Sequence, residues 1–303
     1  MRLSGAWPEL PVAEWRETYA TLLLYSQIVG KVRLALTPKL NQWWNVTLHV
    51  SARGLTTGPM PRGPDGGLLS IDFDFLEHRV VIQDSDGQVR TLPLDGRPVC
   101  VFYADVMNIL DQLGTPGVRI WPQPQECPVT TPFHEDRDHA HYDRAAVGRF
   151  WQALQRIEPV FQQFRAGFRG KCSPVHFFWG AFDLAVTRFN GKRAPLRQAK
   201  VDRDAYDEEV ISLGFWPGDP WATANAAEPM FYSYTVPEPA ALSAAPVLPP
   251  AASWNPTLKE FVLPYDEVRR APDPTAAILA FAQSTYDAGA KLAGWNRDAL
   301  AYP

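Results

Sequence analysis

The sequence predicts an α+β fold: a pseudo-duplicated helix–antiparallel strands–helix unit forming one compact protein. Three observations predict it. A segment near the start of each half repeats apolar residues at helical spacing. The segments that follow alternate apolar and polar residues and are broken by turn formers. Finally, residues recur at a common offset. Trp44 and Trp179 are separated by as many positions as Arg53 and Arg188, and Leu92-Pro93 with Asp95 is answered by Leu263-Pro264 with Asp266. The halves divide as 1–130 and 131–303.

Each element follows from a local pattern. Val12, Trp15, Tyr19, Leu22 and the run Ser26 to Val29 predict a first helix over 12–29. Alternation from Gln42 to Arg53 predicts a strand with Trp44, Val46, Leu48 and Val50 on an apolar face. Strands over 68–75, 78–83 and 89–94 follow, the last two joined by the turn Asp84-Ser85-Asp86-Gly87. Val106, Ile109, Leu110 and Leu113 mark a helix over 103–113, stopped by Gly114. In the second half Asp143 reads as the N-cap of a helix reaching Phe168. A long strand over 175–189 and shorter ones over 210–216, 230–235 and 261–263 come next. Asp273-Pro274 opens a last helix to Leu292.

Composition narrows the function classes. The chain has 303 residues and a formal charge of −4, without the basic excess of a nucleic-acid binder or a polybasic membrane anchor. No apolar run reaches the roughly 18 residues of a spanning helix, and Met1 to Pro11 lacks the apolar core of a leader. Cys100, Cys127 and Cys172 are an odd set at no metal-ligand spacing, which suits a reducing cytoplasm. Eleven tryptophans, several beside other aromatics, predict either a ring-rich core or a ring-walled pocket.

Candidate chemistry centres on the second half. Asp183 takes the place of Leu48 on a face that is otherwise apolar, beside Trp179 and Thr187, so it is either an ion-pair partner or a site acid/base. Its partner would come from Arg169, Lys171 or Arg188. His176 and Arg188 share a face but lie about 40 Å apart along an unbroken strand, unless Gly180 bends it. His176 therefore groups with Lys171 and Ser173 in the entering loop. Arg53 and Arg188 end their strands and are suited to clamp an anion. His134, His139 and His141, with Glu135 and Asp138, could cap a helix or hold a metal; Asp72, Asp74 and His78 on one strand face are a second metal candidate or a solvent-facing strand edge, and no metal-ligand set is assigned. Cys172 is a weak nucleophile candidate. No nucleophile elbow, Walker loop or dinucleotide fingerprint occurs.

Several strings carry a resemblance: Gln27-Ile28-Val29-Gly30-Lys31, Arg53-Gly54-Leu55-Thr56-Thr57, Gly170-Lys171-Cys172-Ser173-Pro174-Val175-His176-Phe177-Phe178-Trp179-Gly180 and Gly214-Phe215-Trp216-Pro217-Gly218. On these the chain resembles a bacterial family of uncharacterised proteins, a domain of unknown function, over nearly its whole length. The resemblance implies no activity and no cofactor. Gln42, Asn45 and Glu208 stand where that family's pattern often has histidine, which implies that histidine is not required there.

Taken together, the residues predict a cytosolic protein that binds a small anionic or aromatic molecule in an aromatic-walled pocket, with an acid/base enzyme as the leading form. Trp44, Trp179 and Trp216 would form walls, Arg53, Lys171 and Arg188 would hold the anion, and His176, Asp183 and His139 would handle protons. The alternative is a non-enzymatic ligand-binding or protein-interaction module. The expected partner is a small molecule, not nucleic acid or membrane, and the oligomeric state is left open.

Overall fold

The computed structural model describes residues 6–63, 66–115, 117–222 and 228–302, apart from the Lys200 side chain. Residues 1–5, part of the segment read for a leader, lie outside that range. The first half runs α1 (Arg16–Leu36), β1 (His49–Val50), β2 (Gly54–Thr56), β3 (Met60–Pro61), β4 (Leu68–Asp74), β5 (Arg79–Asp84), β6 (Val89–Pro93) and α2 (Val99–Gln112). The second begins with α3 (Arg144–Ala166), β7 (His176–Phe178), β8 (Asp183–Arg193), α4 (Lys200–Ala205), β9 (Glu208–Trp216) and β10 (Met230–Val236). It closes with β11 (Ser253–Asn255), β12 (Glu260–Pro264), α5 (Tyr265–Arg270), α6 (Pro274–Leu292) and α7 (Arg297–Leu300).

The fold is α+β, with two antiparallel sheets. One has the order β1-β2-β4-β5-β6 with β3 on β4, and the other β11-β12-β10-β9-β8-β7. They meet edge to edge. Leu48 N–H donates to Phe177 O at 2.9 Å and Phe177 N–H donates to Leu48 O at 2.7 Å. Helix, antiparallel strands, helix is the order in both halves, but the common offset does not pair equivalent positions. Trp44 follows a 3-10 turn while Trp179 opens the β7–β8 turn, and Arg53 lies in a turn while Arg188 lies within β8. The shared order does not by itself establish a duplication.

Three elements depart from the sequence reading, each for a physical reason. The strand expected over 42–53 shrinks to His49–Val50. Gln42 and Trp43 have φ of 53° and 60°, which an extended chain does not adopt. Arg33 of α1 also draws on the carbonyls of Asn45, Thr47 and Thr57, so this stretch is held by a side chain and not by a strand partner. The strand expected over 175–189 is a hairpin: His176 pairs with Ala185 and Phe178 with Asp183. The turn is set by Phe182 at φ 61°. Helix α1 passes Gly30 and continues to Leu36; Gly30 serves close packing inside the helix and not its end, since a Cβ there would lie 2.2 Å from Trp179 Cδ1.

The two long helices of the second half begin at the expected caps. Asp143 accepts from Ala145 N and Ala146 N at 2.8 and 3.2 Å, and Asp273 from Ala276 N at 3.0 Å. Helix α1 is buried from Thr18 to Val32 and runs through the core, with α2 packed against it. Helices α3 and α6 pack on each other and cover one face of the second sheet. Phe150 of α3 ties the halves together, with ring centroids 5.4 Å from both Trp15 and Phe182 and 6.4 Å from Phe75. Burying a ring of this size contributes roughly 1.5–3 kcal/mol. Among the described residues no helix is long and apolar enough to cross a membrane.

Candidate functional site

Helices α3 and α6 leave the other face of the second sheet free, and that face is the floor of a cavity of about 690 Å³. Period-2 alternation brings the floor together. Asp183, Ala185 and Thr187 of β8 turn the same way, opposite to Leu184, Val186 and Arg188. Ala185 pairs with Gly214 of β9, and Gly214 pairs with Tyr232 of β10. Gly214 is needed here for space: a Cβ would lie 2.1 Å from Tyr232 Cζ. Without it the Tyr232 ring lies across β9, and its hydroxyl donates to Asp183 Oδ2. In the next row Thr187 and Ser212 hydroxyls pair at 2.9 Å, and Tyr234 lies beside Glu260 of β12.

The walls and rim come from elsewhere in the chain. Trp44 and Trp179 line the cavity from the first half's 41–46 turn and from the β7–β8 turn, and Trp216 ends β9. Trp179 Nε1–H donates to Val46 O at 2.7 Å, which locks its ring. Part of the rim is built by α1. Gln27 holds the backbone of Gln125 from both sides, by Nε2–H to Gln125 O at 2.7 Å and Oε1 from Gln125 N at 3.0 Å. One turn on, the buried Lys31 donates to the carbonyls of Trp121 and Gln123. Between them Gly30 admits Trp179. Gln27, Gly30 and Lys31 thus share one helix face and fix the 121–126 loop, which brings the exposed Glu126 over Gly180 at the rim.

The electrostatics are acidic. Burial pushes the Asp183 carboxyl up to about 7, against the hydrogen bond from Tyr232, which lowers it. Burial, with Asp183 nearby, pushes Glu260 up to about 7 as well. Among the described residues lining the cavity there is no Lys or Arg. His176 is 1% exposed and held neutral, since burial drives its imidazole down to about 3. His176 Nδ1 and Gln42 Oε1, both from residues lining the cavity, are buried without a hydrogen-bond partner among the described residues. The Gln42 amide is otherwise held by its Nε2–H bond to Asp207.

The structure therefore brings together five of the residues singled out in the sequence: Trp44, Trp179, Trp216, His176 and Asp183. Lys171 stands behind the wall, with Nζ 5.5 Å from the Trp44 ring and 4.5 Å from Phe189, paired with Glu208 at 2.6 Å. Arg53 is on the surface, bonded to Asp74 at 3.0 Å. Arg188 shares no face with His176, because the hairpin turns its side chain to the helix-covered side. His139 lies away from the cavity, with Nδ1 2.8 Å from Asp136 Oδ2, whose other oxygen caps the Asp138 and His139 amides. His141 goes to Thr18 and His78 to Tyr142, and among the described residues no three His, Cys, Asp or Glu are gathered to hold a metal. Burial pushes the Cys172 thiol up to about 11, which removes it as a nucleophile at neutral pH.

Glu260, Tyr232 and Glu126 were not distinguished in the sequence, and Gln42 was marked only as a place where the resembled family often has histidine. A polar stripe inside the apolar first helix, Gln27-Gly30-Lys31, was the one signal that could have located the rim loop. A family model described as a family of unknown function (DUF5996) matches residues 7–302. No curated protein matches the chain, and no solved structure does.

Proposed function

We propose, for a chain that belongs to the DUF5996 family of unknown function, that it binds a small organic molecule in the cavity on the free sheet face, and that the ligand carries a protonated nitrogen on a flat or aromatic body. One observation carries the reading: Asp183 and Glu260 are carboxylates without a cation among the described lining residues, set among Trp44, Trp179 and Trp216. A buried carboxylate without a counter-ion costs several kcal/mol, and a ligand ammonium offsets that cost. The indole faces add cation–π attraction of roughly 0.5–2 kcal/mol each. An anion would meet the same carboxylates as repulsion, so the cavity favours a cation over the anion expected from the sequence.

Asp183 near neutrality also supports an acid/base enzyme acting on the bound molecule, since its carboxyl can give or take a proton at working pH. The three free cysteines support a cytosolic setting. The test is calorimetric titration with tryptamine and with indole-3-acetate, which share a ring and differ in charge. Tryptamine binds and indole-3-acetate does not, and Asp183→Asn weakens tryptamine at least about tenfold, the loss of one charge-assisted contact. Tighter binding of indole-3-acetate, or an unchanged tryptamine affinity in the Asn variant, rejects the reading.

A further inference from the structure

The opposite face of the same strand carries a second feature. Arg188 is 2% exposed, yet none of the described carboxylates pairs with it. Its guanidinium carbon lies 3.5 Å from the Phe164 ring centroid, 4.4 Å from Tyr286 and 5.1 Å from Phe168. Among the described residues its hydrogen bonding is a single donation, Nη2–H to Phe164 O in the last turn of α3. That bond places a cation at the negative end of a helix, but it uses one of five donors. Nε is buried with no partner among the described residues. The side chain borders a cavity of about 510 Å³ between α3, α6 and the 295–301 segment. Tyr286 lines the same cavity, and its hydroxyl has no hydrogen-bond partner among the described residues. Phe168, Trp295 and Leu300 add apolar surface.

We propose that this cavity is a second ligand site, one that takes an oxyanion, a carboxylate or a phosphate, on the guanidinium edge of Arg188 with the Tyr286 hydroxyl as a second donor. The rings packed around the guanidinium fix its position, and its donors other than the one committed to Phe164 O have no partner among the described residues, which suits the planar fork by which arginine recognises such groups. A buried guanidinium without a counter-ion is costly, and a bound oxyanion supplies the missing charge. Two carboxylates also border the cavity. Asp287 is paired with Arg297 at 2.5 Å and acts on Arg188 only through space, and Asp298 is exposed, so neither forms an ion pair with the guanidinium. Burial lowers the Arg188 pKa to about 10, which leaves it charged at neutral pH. The site does not rest on the ligand proposed for the other face.

The test is the melting temperature of the full chain in about 10 mM acetate, benzoate or inorganic phosphate, against chloride at matched ionic strength. An oxyanion raises it by about 3 °C or more above chloride, the shift of a ligand present well above its Kd. Benzoate above acetate and phosphate marks a carboxylate on an apolar body, and phosphate above both marks a phosphate ligand. The shift is lost in Arg188→Gln and unchanged in Asp183→Asn. If the Gln variant does not fold, Arg188→Lys keeps a cation at the end of α3 without the planar edge, and its anion-dependent shift falls at least about threefold. No shift beyond chloride, or a full shift in the Arg188 variant, overturns the proposal and leaves Arg188 as a helix-capping cation.

Discussion

Asp183 is a buried carboxylate on the cavity floor, bonded by the Tyr232 hydroxyl. Its place on an apolar face is readable from alternation alone, because a carboxylate among Trp179, Ala185 and Thr187 breaks the pattern. What it bonds to is not readable: Tyr232 comes from a strand two places away. The raised carboxyl has a defined effect on stability. Its folded pKa, about 7, exceeds the ordinary 3.8, so between those values the native state holds a proton that the unfolded chain has lost. Stability attributable to this group therefore falls as pH rises from about 4 to 7. Asp183→Asn removes that dependence. The variant matches the wild type near pH 4 and is more stable at pH 8, with at most about 4 kcal/mol from the Asp183 carboxyl itself at 1.36 kcal/mol per pKa unit. Urea unfolding at the two pH values checks it, and a variant less stable at pH 8 than the wild type contradicts the burial argument. Glu260, also near 7, adds the same sign, while the neutral His176 opposes it by destabilising the fold as pH drops below its ordinary 6.5. The His176 contribution is common to both proteins and cancels in the comparison, whereas removing the Asp183 charge also lets the Glu260 pKa fall, a change of the same sign as the gain at pH 8. Tryptamine affinity carries the matching signature and rises between pH 6 and 8 as the carboxyls ionise.

At the scale of elements, two glycines inside regular structure hold the site open. Gly214→Ala in β9 drives a Cβ to within 2.1 Å of Tyr232 Cζ. The ring must leave Asp183, so tryptamine binding drops at least about tenfold and overpacking costs about 1–3 kcal/mol. Gly30→Ala in α1 meets the Trp179 indole at 2.2 Å and should cost at least as much, because that ring is also tied to Val46 O. Chemical denaturation together with calorimetric titration measures both effects; normal binding in Gly214→Ala would detach Tyr232 from the site. Alternation shows which residues share a face of a strand, but not where one strand ends and its hairpin partner begins. That is why 175–189 reads as one strand while the chain turns at 179–182. One misplaced turn reverses the face of every residue beyond it, and so it moved Arg188 from the expected site to the other side of the sheet.

At the scale of the whole molecule, the Leu48–Phe177 bridge and the Phe150 ring cluster join the halves into one core. The chain is expected to unfold in a single calorimetric transition with equal van't Hoff and calorimetric enthalpies. The Leu48 and Phe177 amides belong with the slowest to exchange. Two separate transitions would show halves that fold independently. The acidic charge of the chain is consistent with an acidic main cavity, but net charge does not locate a site.

The sequence by itself determined the α+β class, the caps at Asp143 and Asp273, the sheet alternation and the oddity of a carboxylate on an apolar face. These are properties of near neighbours along the chain, set by helical and strand periods and by turn chemistry. Only the tertiary structure decided that Trp44, Trp179 and Trp216 meet around Asp183 and Glu260, that Gln27 and Lys31 hold a rim loop some 90 positions away, and that Arg188 faces a different cavity. Those outcomes depend on which strand edges pair and which helix covers which face. Such choices are made by packing between segments distant in the chain, and no local pattern encodes them.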